Sequence, residues 1–286
     1  MKKTTDFVDL YKKYGEYNIL FNQLNMASPS IEYSWRKTKT LIENKAILLL
    51  KERANGERKV AVCDIGCGNG ATLIRLAQEF SNKASKISFT GFDISKPFVD
   101  FGIQAAQHKG LKNIAFKTFN IETDNLPSKY DVIICSEVLE HVHNPKEILK
   151  KIRKHIKKGG FLILSTPNSK NFIKYPFLFL KKYITNKNNE IVAKYLTKKE
   201  ETFKLAEEEQ HLYIFSHNEL KQALMHVGFS KVFSLRGAVV FGGPFLDNHP
   251  LLFAATIVLD VFLDFMNIPQ ASWDTIFYAE NEHDAF

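Results

Sequence analysis

A carboxylate at the tip of an apolar run, followed at once by a glycine-rich turn, can hold a nucleotide-like ligand. Val60-Ala-Val-Cys-Asp-Ile-Gly-Cys-Gly-Asn-Gly-Ala71 has that order, with Asp64 ahead of Gly66, Gly68 and Gly70. Glycine lets a ligand lie against bare backbone and permits positive φ. Gly66, Gly68 and Ala71 also satisfy the looser dinucleotide fingerprint, in which a pyrophosphate docks on a helix N-terminus. Asp64 argues against a pyrophosphate, because an anion beside an anion is unfavourable. An ammonium or sulfonium is favoured there. A glycine turn that binds nothing is the bland alternative.

These residues need elements to position them. Val60 to Ile65 reads as a strand, and Leu73, Ile74, Leu76, Ala77 and Phe80 recur at helix spacing after the turn. Lys86 to Asp93 reads as a second strand. Asp93 ends it about twenty residues past the glycines, where one carboxylate can accept from both hydroxyls of a ribose. Ser95 is expected to cap the next helix, with Pro97 in its first turn. Further strands are expected at Asn113 to Phe119, Tyr130 to Cys135 and Phe161 to Thr166. The last is preceded by a helix carrying Ile148, Leu149, Ile152 and Ile156 and stopping at Lys157-Lys158-Gly159-Gly160. Such alternation favours a parallel sheet with helices on both faces and ligands at the C-terminal strand ends. Asp64, the glycines, Asp93, Asn120 and Ser136 all fall at that edge.

Later in the chain, Ser216 and Glu219 form a capping-box signature, with Gly228 ending the helix. Lys231 to Val240 and Thr275 to Glu280 complete a set of seven strands. Two insertions interrupt this plan, at about 169–210 and 241–273. The first is aromatic and basic (Phe172, Tyr175, Phe177, Lys181, Lys182, Tyr183). The second holds the apolar run Leu251 to Met266 with Asp260 and Asp264 one helical turn apart. That run is too short and too charged to span a membrane. It reads as a buried helix, a lid over a greasy substrate, or a surface in peripheral contact with a membrane; the lid is the favoured reading. Residues 1–57 form a helical cap, with Ile42 to Leu50 leading into the first strand. Its aromatics, including Phe7, Tyr11, Tyr14, Tyr17, Phe21, Tyr33 and Trp35, pack the cap and can also line a ligand cleft.

The chain has 286 residues, 45% hydrophobic and 24% charged, with a net charge of +8. These values fit an ordinary globular protein of one domain with lids. The charge comes mostly from scattered lysines, which suits a solvated surface better than a nucleic-acid stripe, although it also favours anionic partners. Cys63, Cys67 and Cys135 have no metal-type spacing and read as reduced, buried thiols. The N-terminus lacks the apolar run of a secretory signal, so a cytoplasmic protein is expected.

Taken together, residues from about 58 to 168 resemble class I S-adenosylmethionine (SAM) methyltransferases, with four motifs matching in order and spacing. The resemblance implies a doubly wound, seven-stranded Rossmann-like sheet and SAM as cofactor, with 58–286 as the methyltransferase domain. The implied cofactor contacts are Asp64, Gly66, Cys67, Gly68, Asp93, Ile94, Asn120, Ile121 and Ser136. Asp64 would lie near the methionyl part. Asn120 stands where the family has an acidic residue against the adenine amino group, a departure that still leaves a carbonyl acceptor. Ser136-Glu-Val-Leu-Glu-His-Val is similar to the segment in ubiquinone-type O-methyltransferases. A related Glu-x-x-Glu-His run binds a divalent cation in small-RNA 2′-O-methyltransferases. By that resemblance Glu137, Glu140, His141 and His211 would hold Mg²⁺ or Mn²⁺, although similar runs also occur without metal.

The reaction implied is in-line attack on the SAM methyl, with the protein supplying alignment and water exclusion. A hydroxyl acceptor must also lose its proton. His141 is the candidate base, since a histidine can titrate near neutral pH, and His211 is the reserve. The aromatic insertions suit a ring-bearing, glycan or lipid-linked acceptor. An RNA 2′-O-methyltransferase, a nicotinamide-dependent oxidoreductase and a SAM-binding regulator without catalysis are the alternatives.

Overall fold

The computed structural model describes residues 28–170, 211–239 and 244–282. The chain alternates as the sequence pattern requires. Helix α1 (Pro29–Arg53) leads into β1 (Val60–Ile65), α2 (Ala71–Glu79), β2 (Ile87–Asp93), α3 (Lys96–His108) and β3 (Ile114–Thr118). Next come β4 (Tyr130–Ser136), α4 (Pro145–Lys154), β5 (Ile156–Pro167), α5 (His217–His226) and β6 (Lys231–Arg236). A short α6 (Pro244–Asp247), α7 (Pro250–Met266) and β7 (Asp274–Asn281) follow.

The seven strands lie in the order β3-β2-β1-β4-β5-β7-β6. Strands β1 to β5 pair in parallel, and β7 runs antiparallel between β5 and β6. The apolar strands are buried on both faces, as parallel sheets require. One core layer joins α1, α2 and α3 through Leu49, Leu50, Leu73, Leu76 and Val99. The other joins α4 and α5 through Ile148, Leu149, Ile152, Leu220 and Leu224. Each such side chain fully buried is worth about 1.5–3 kcal/mol before entropy is charged. The expected doubly wound, Rossmann-like seven-stranded sheet is therefore the observed one.

Several boundaries move. Helix α1 extends far beyond Ile42 to Leu50, with Ser28 at its N-cap accepting from Ile31 N. Helix α4 stops at Lys154, and Ile156 opens β5 instead of closing the helix face. Lys157-Lys158-Gly159-Gly160 is thus part of the strand, with Gly159 at φ +68° beside a register shift against β4. Strand β6 ends at Arg236, short of Val240. Ser95 is the N-cap of α3 by position, but its side chain accepts no capping bond; Asp93 fixes the turn by accepting from Ser95 N. The capping box of Ser216 and Glu219 is formed in full.

The aromatics at 7–21 and nearly all of the 169–210 insertion lie outside the described residues. The run 251–266 is described, and it is not a buried helix. Asp260 is its one buried residue, whereas Leu251, Val258, Val261, Phe262 and Phe265 are exposed. The three cysteines are free and buried.

Candidate active site

Strand β1 delivers the chain to the glycine turn at the C-terminal sheet edge, and β2 delivers Asp93 beside it. Gly66, Gly68 and Gly70 have φ of +72°, +52° and +77°, which side chains rarely adopt. At Gly66 an added Cβ would meet Val138 Cγ2 at 2.2 Å; at Gly68 it would meet nothing within 4 Å. Asp93 Oδ2 accepts from Gly68 N at 2.8 Å, and Oδ1 accepts from Ser95 N at 2.8 Å. Burial pushes this carboxyl up to about 6, and the backbone N–H groups of Ser95, Gly68 and Ile94 partly offset the shift.

A cavity of about 240 Å³ opens at this edge. Gly66, Gly68, Asp93, Ile94, Asn120, Ile121, Ser136, Glu137 and His141 line it, so most residues expected from sequence converge there. Asp64 and Cys67 lie outside that lining. Asp64 is 4% exposed, and burial followed by repulsion from Asp93 pushes its carboxyl up to about 8. Seven other liners were not assigned from sequence: Ile65, Phe92, Phe98, Phe119, Glu122, Val138 and Val142. Trp35 of the cap lines the cavity too, so this aromatic has the second role allowed for it.

The turn after β3 is held from several sides. Asn120 Oδ1 accepts from Glu122 N, and Asp124 Oδ2 accepts from Asn120 N. Glu122 accepts from His143 N at 2.8 Å. Lys151 Nζ, from α4, donates to the carbonyls of Ile121 at 2.7 Å, Glu122 at 3.3 Å and Asp124 at 3.1 Å. A lysine in the last turn of a helix gives no hint of this in the sequence.

Beyond β4 the backbone turns sharply, with Glu137 at φ +55°, a strained conformation for a side chain of this size. Glu137 Oε1 accepts from Ser165 Oγ at 2.6 Å, and Ser165 Oγ lies 2.7 Å from Ser136 Oγ. Glu140 Oε2 accepts from Thr166 Oγ1 at 3.0 Å. Burial raises both acids. Glu140 reaches about 7, and Glu137, which gives a hydrogen bond to Glu140 and feels the charge of Asp274, goes well above its ordinary range. Asp274, missed in the sequence because β7 starts one residue earlier than expected, is itself pushed up to about 6 by burial, with the hydrogen bond from the Thr38 hydroxyl partly offsetting the shift.

Glu140, His141 and His211 bring one donor atom each to within 4.8 Å of one another. The backbone ties the set together, because Leu212 N and Tyr213 N both donate to the Glu140 carbonyl. The rings of His141 and His211 meet edge to face at 5.2 Å. Glu137 lies outside this group, its carboxylate taken by Ser165. Burial, with His211 next to it, pushes His141 down to about 3. Burial thus favours the neutral imidazole, the form that takes a proton or binds a cation.

The residues fit an adenosyl ligand: an open face at Gly68, a buried acceptor at Asp93 and a preformed turn at Asn120 to Asp124. They also offer a divalent cation a carboxylate and two imidazoles.

Comparison with known proteins agrees with this reading of the fold. The chain is 34% identical over 158 residues to a ubiquinone biosynthesis O-methyltransferase of Rickettsia prowazekii, covering 55% of this chain and 54% of that protein. It is 31% identical over 170 residues to the protein of the same name from Acinetobacter baumannii, covering 59% and 63%. The chain thus spans little more than half the length of these relatives. Among solved structures, a magnesium protoporphyrin IX methyltransferase from Synechocystis with bound SAM superposes with a TM-score of 0.57 at 17% identity, covering 98% of each chain. The DszA carbon methyltransferase superposes at 0.55 and 16% identity, over 85% of this chain and 53% of that one. The model of the methyltransferase domain matches residues 57–226, more than half of the sequence, and the chain belongs to that family.

Proposed function

We propose that this methyltransferase moves the methyl group of SAM to a hydroxyl oxygen of a ring-bearing or lipid-linked small molecule. The observation that carries the reading is the position of His141, which both lines the cavity and belongs to the cluster with Glu140 and His211. The relatives named for ubiquinone O-methylation support a hydroxyl acceptor. The apolar cavity walls formed by Phe92, Phe98 and Trp35 suit a ring.

Asp93 accepts from the ribose hydroxyls, Gly68 leaves room for the cofactor backbone, and the Asn120 turn receives the adenine. The acceptor oxygen attacks the methyl carbon as the carbon–sulfur bond breaks, and S-adenosylhomocysteine leaves. The hydroxyl proton must depart as well. A divalent cation held by Glu140, His141 and His211 would lower the pKa of a bound hydroxyl. Neutral imidazoles are the form that binds such a cation.

The test is a transfer assay with catechol-type acceptors, with and without Mg²⁺ or Mn²⁺. Activity that needs the metal, falls at least about a hundredfold in His141→Ala and leaves SAM affinity unchanged supports the reading. Methylation at carbon, or full activity of His141→Ala with chelator present, contradicts it.

A further inference from the structure

Helix α7 is amphipathic in the reverse sense. A surface helix ordinarily turns its apolar stripe to the core. Here the two acids face the protein. Asp260 Oδ1 accepts from Arg236 Nη1 at 2.9 Å and from Val239 N at 2.9 Å. Its Oδ2 takes Lys37 Nζ at 2.7 Å and the Tyr33 hydroxyl at 2.5 Å. Asp264 pairs with Lys37 and with Arg236, both at 2.7 Å. The apolar side chains point away: Leu251 is 88% exposed, Phe265 87%, Val258 69%, Val261 60% and Phe262 58%.

A row of large apolar groups along a 17-residue helix exceeds what a monomer usually shows to water. No helix among the described residues is long and apolar enough to cross a membrane. The ionic clasp, with the half-buried Phe253, Ile257 and Leu263 beside it, holds α7 in place, so its outer face is available for something else. The sequence of that face decides between partners. Protein interfaces are anchored by Trp, Tyr and Arg, with polar groups fixing orientation. This face has Leu, Val, Phe and Met; Asp260 is buried, and Asp264, 43% exposed, is paired with Lys37 and Arg236. A fluid apolar phase needs only area.

We propose that the outer face of α7 seats the protein on an anionic lipid bilayer, lying in the interface plane. The net charge of +8 complements such a surface and draws the protein to it. The placement also bears on access to the cavity. Helix α1 gives Tyr33 and Lys37 to α7 and, between them, Trp35 to the cavity lining. A single turn of α1 therefore joins the bilayer-facing helix to the site. Docking does not depend on which atom is methylated.

The experiment is vesicle flotation of the full chain with phosphatidylcholine–phosphatidylglycerol vesicles, beside Val258→Glu/Phe262→Glu/Phe265→Glu. The expected result is that the wild type floats and that the triple variant partitions at least about tenfold less, with an unchanged melting temperature. Phe265→Glu alone should fall between them. Vesicles without phosphatidylglycerol should bind more weakly, as should high salt. A wild type that stays at the bottom overturns the proposal. So does a triple variant that floats equally well. A concentration-dependent dimer that the triple variant dissolves, with no vesicle binding, assigns the face to a second copy and overturns it too.

Discussion

Asp93 gives one oxygen to Gly68 N and the other to Ser95 N, and still lines the cavity with lone pairs to spare. Its removal takes away both the acceptor for a ribose and the support of the glycine turn. Asp93→Ala should therefore abolish SAM binding in calorimetry, and unchanged affinity would refute the ribose role. The raised carboxyl adds a pH signature. SAM affinity should be level above about 6 and fall as Asp93 protonates below it. Asp64 makes a different prediction. Its folded pKa, near 8, stands above the unfolded value, so the folded state holds a proton that the unfolded state releases. The stability this contributes is complete at low pH and is lost as pH rises toward 8. Asp64→Asn escapes that loss. In thermal unfolding without ligand its advantage over wild type should grow between pH 5 and 8, by more than the roughly 2–4 °C that 1 kcal/mol gives a domain of this size. A constant difference would contradict the assignment. Lys151 lies outside the cavity lining but closes three carbonyls of the turn after β3. Lys151→Met should raise the KM for SAM about tenfold and spare kcat, since bonds from a charged donor are worth about 1.5–3 kcal/mol. Equal losses in both constants would point to general misfolding.

At the scale of elements, α7 and α1 are held together by charge and the sheet by apolar burial. The two acids of α7 differ in setting. The Asp260 side chain is 1% exposed and the Asp264 side chain 43%. Asp260→Ala leaves Arg236, itself 3% exposed, without its main partner. Breaking such a buried pair costs about 3–5 kcal/mol, and denaturant unfolding should register a loss of that order. Asp264→Ala should cost under about 1 kcal/mol because solvent screens it. Similar losses for both would mean that α7 is not clasped in the way described. The α4–β5 junction shows another division of labour. Lys157 reaches back to the buried Asp131 at 2.7 Å, so the basic residues that resembled a helix end belong to a strand-side ion cluster.

For the whole molecule, the sheet was legible because its strands are apolar runs and its helices repeat at 3.6 residues, two signals that do not depend on distant partners. The turn at Gly66 to Gly70, Asp93 and the Glu137 to His141 run were legible for a similar reason: local geometry demands those residue types. Trp35 in the cavity and Lys151 under the turn after β3 were not, because each acts across space on an element far away in sequence. The orientation of α7 was hidden more deeply. Its apolar composition argued for burial, and only Lys37 and Arg236, remote along the chain, decide which face turns inward. The burial of His141 against His211 is likewise a tertiary fact that its place in the sequence does not show. The central claim is that the edge built from Gly66, Gly68, Asp93 and Asn120 is an adenosyl site. A calorimetric titration with SAM, S-adenosylhomocysteine and NAD tests it directly. The account predicts micromolar binding of the two adenosyl ligands, lost in Asp93→Ala, and none of NAD. Binding of NAD with no response to SAM would contradict it.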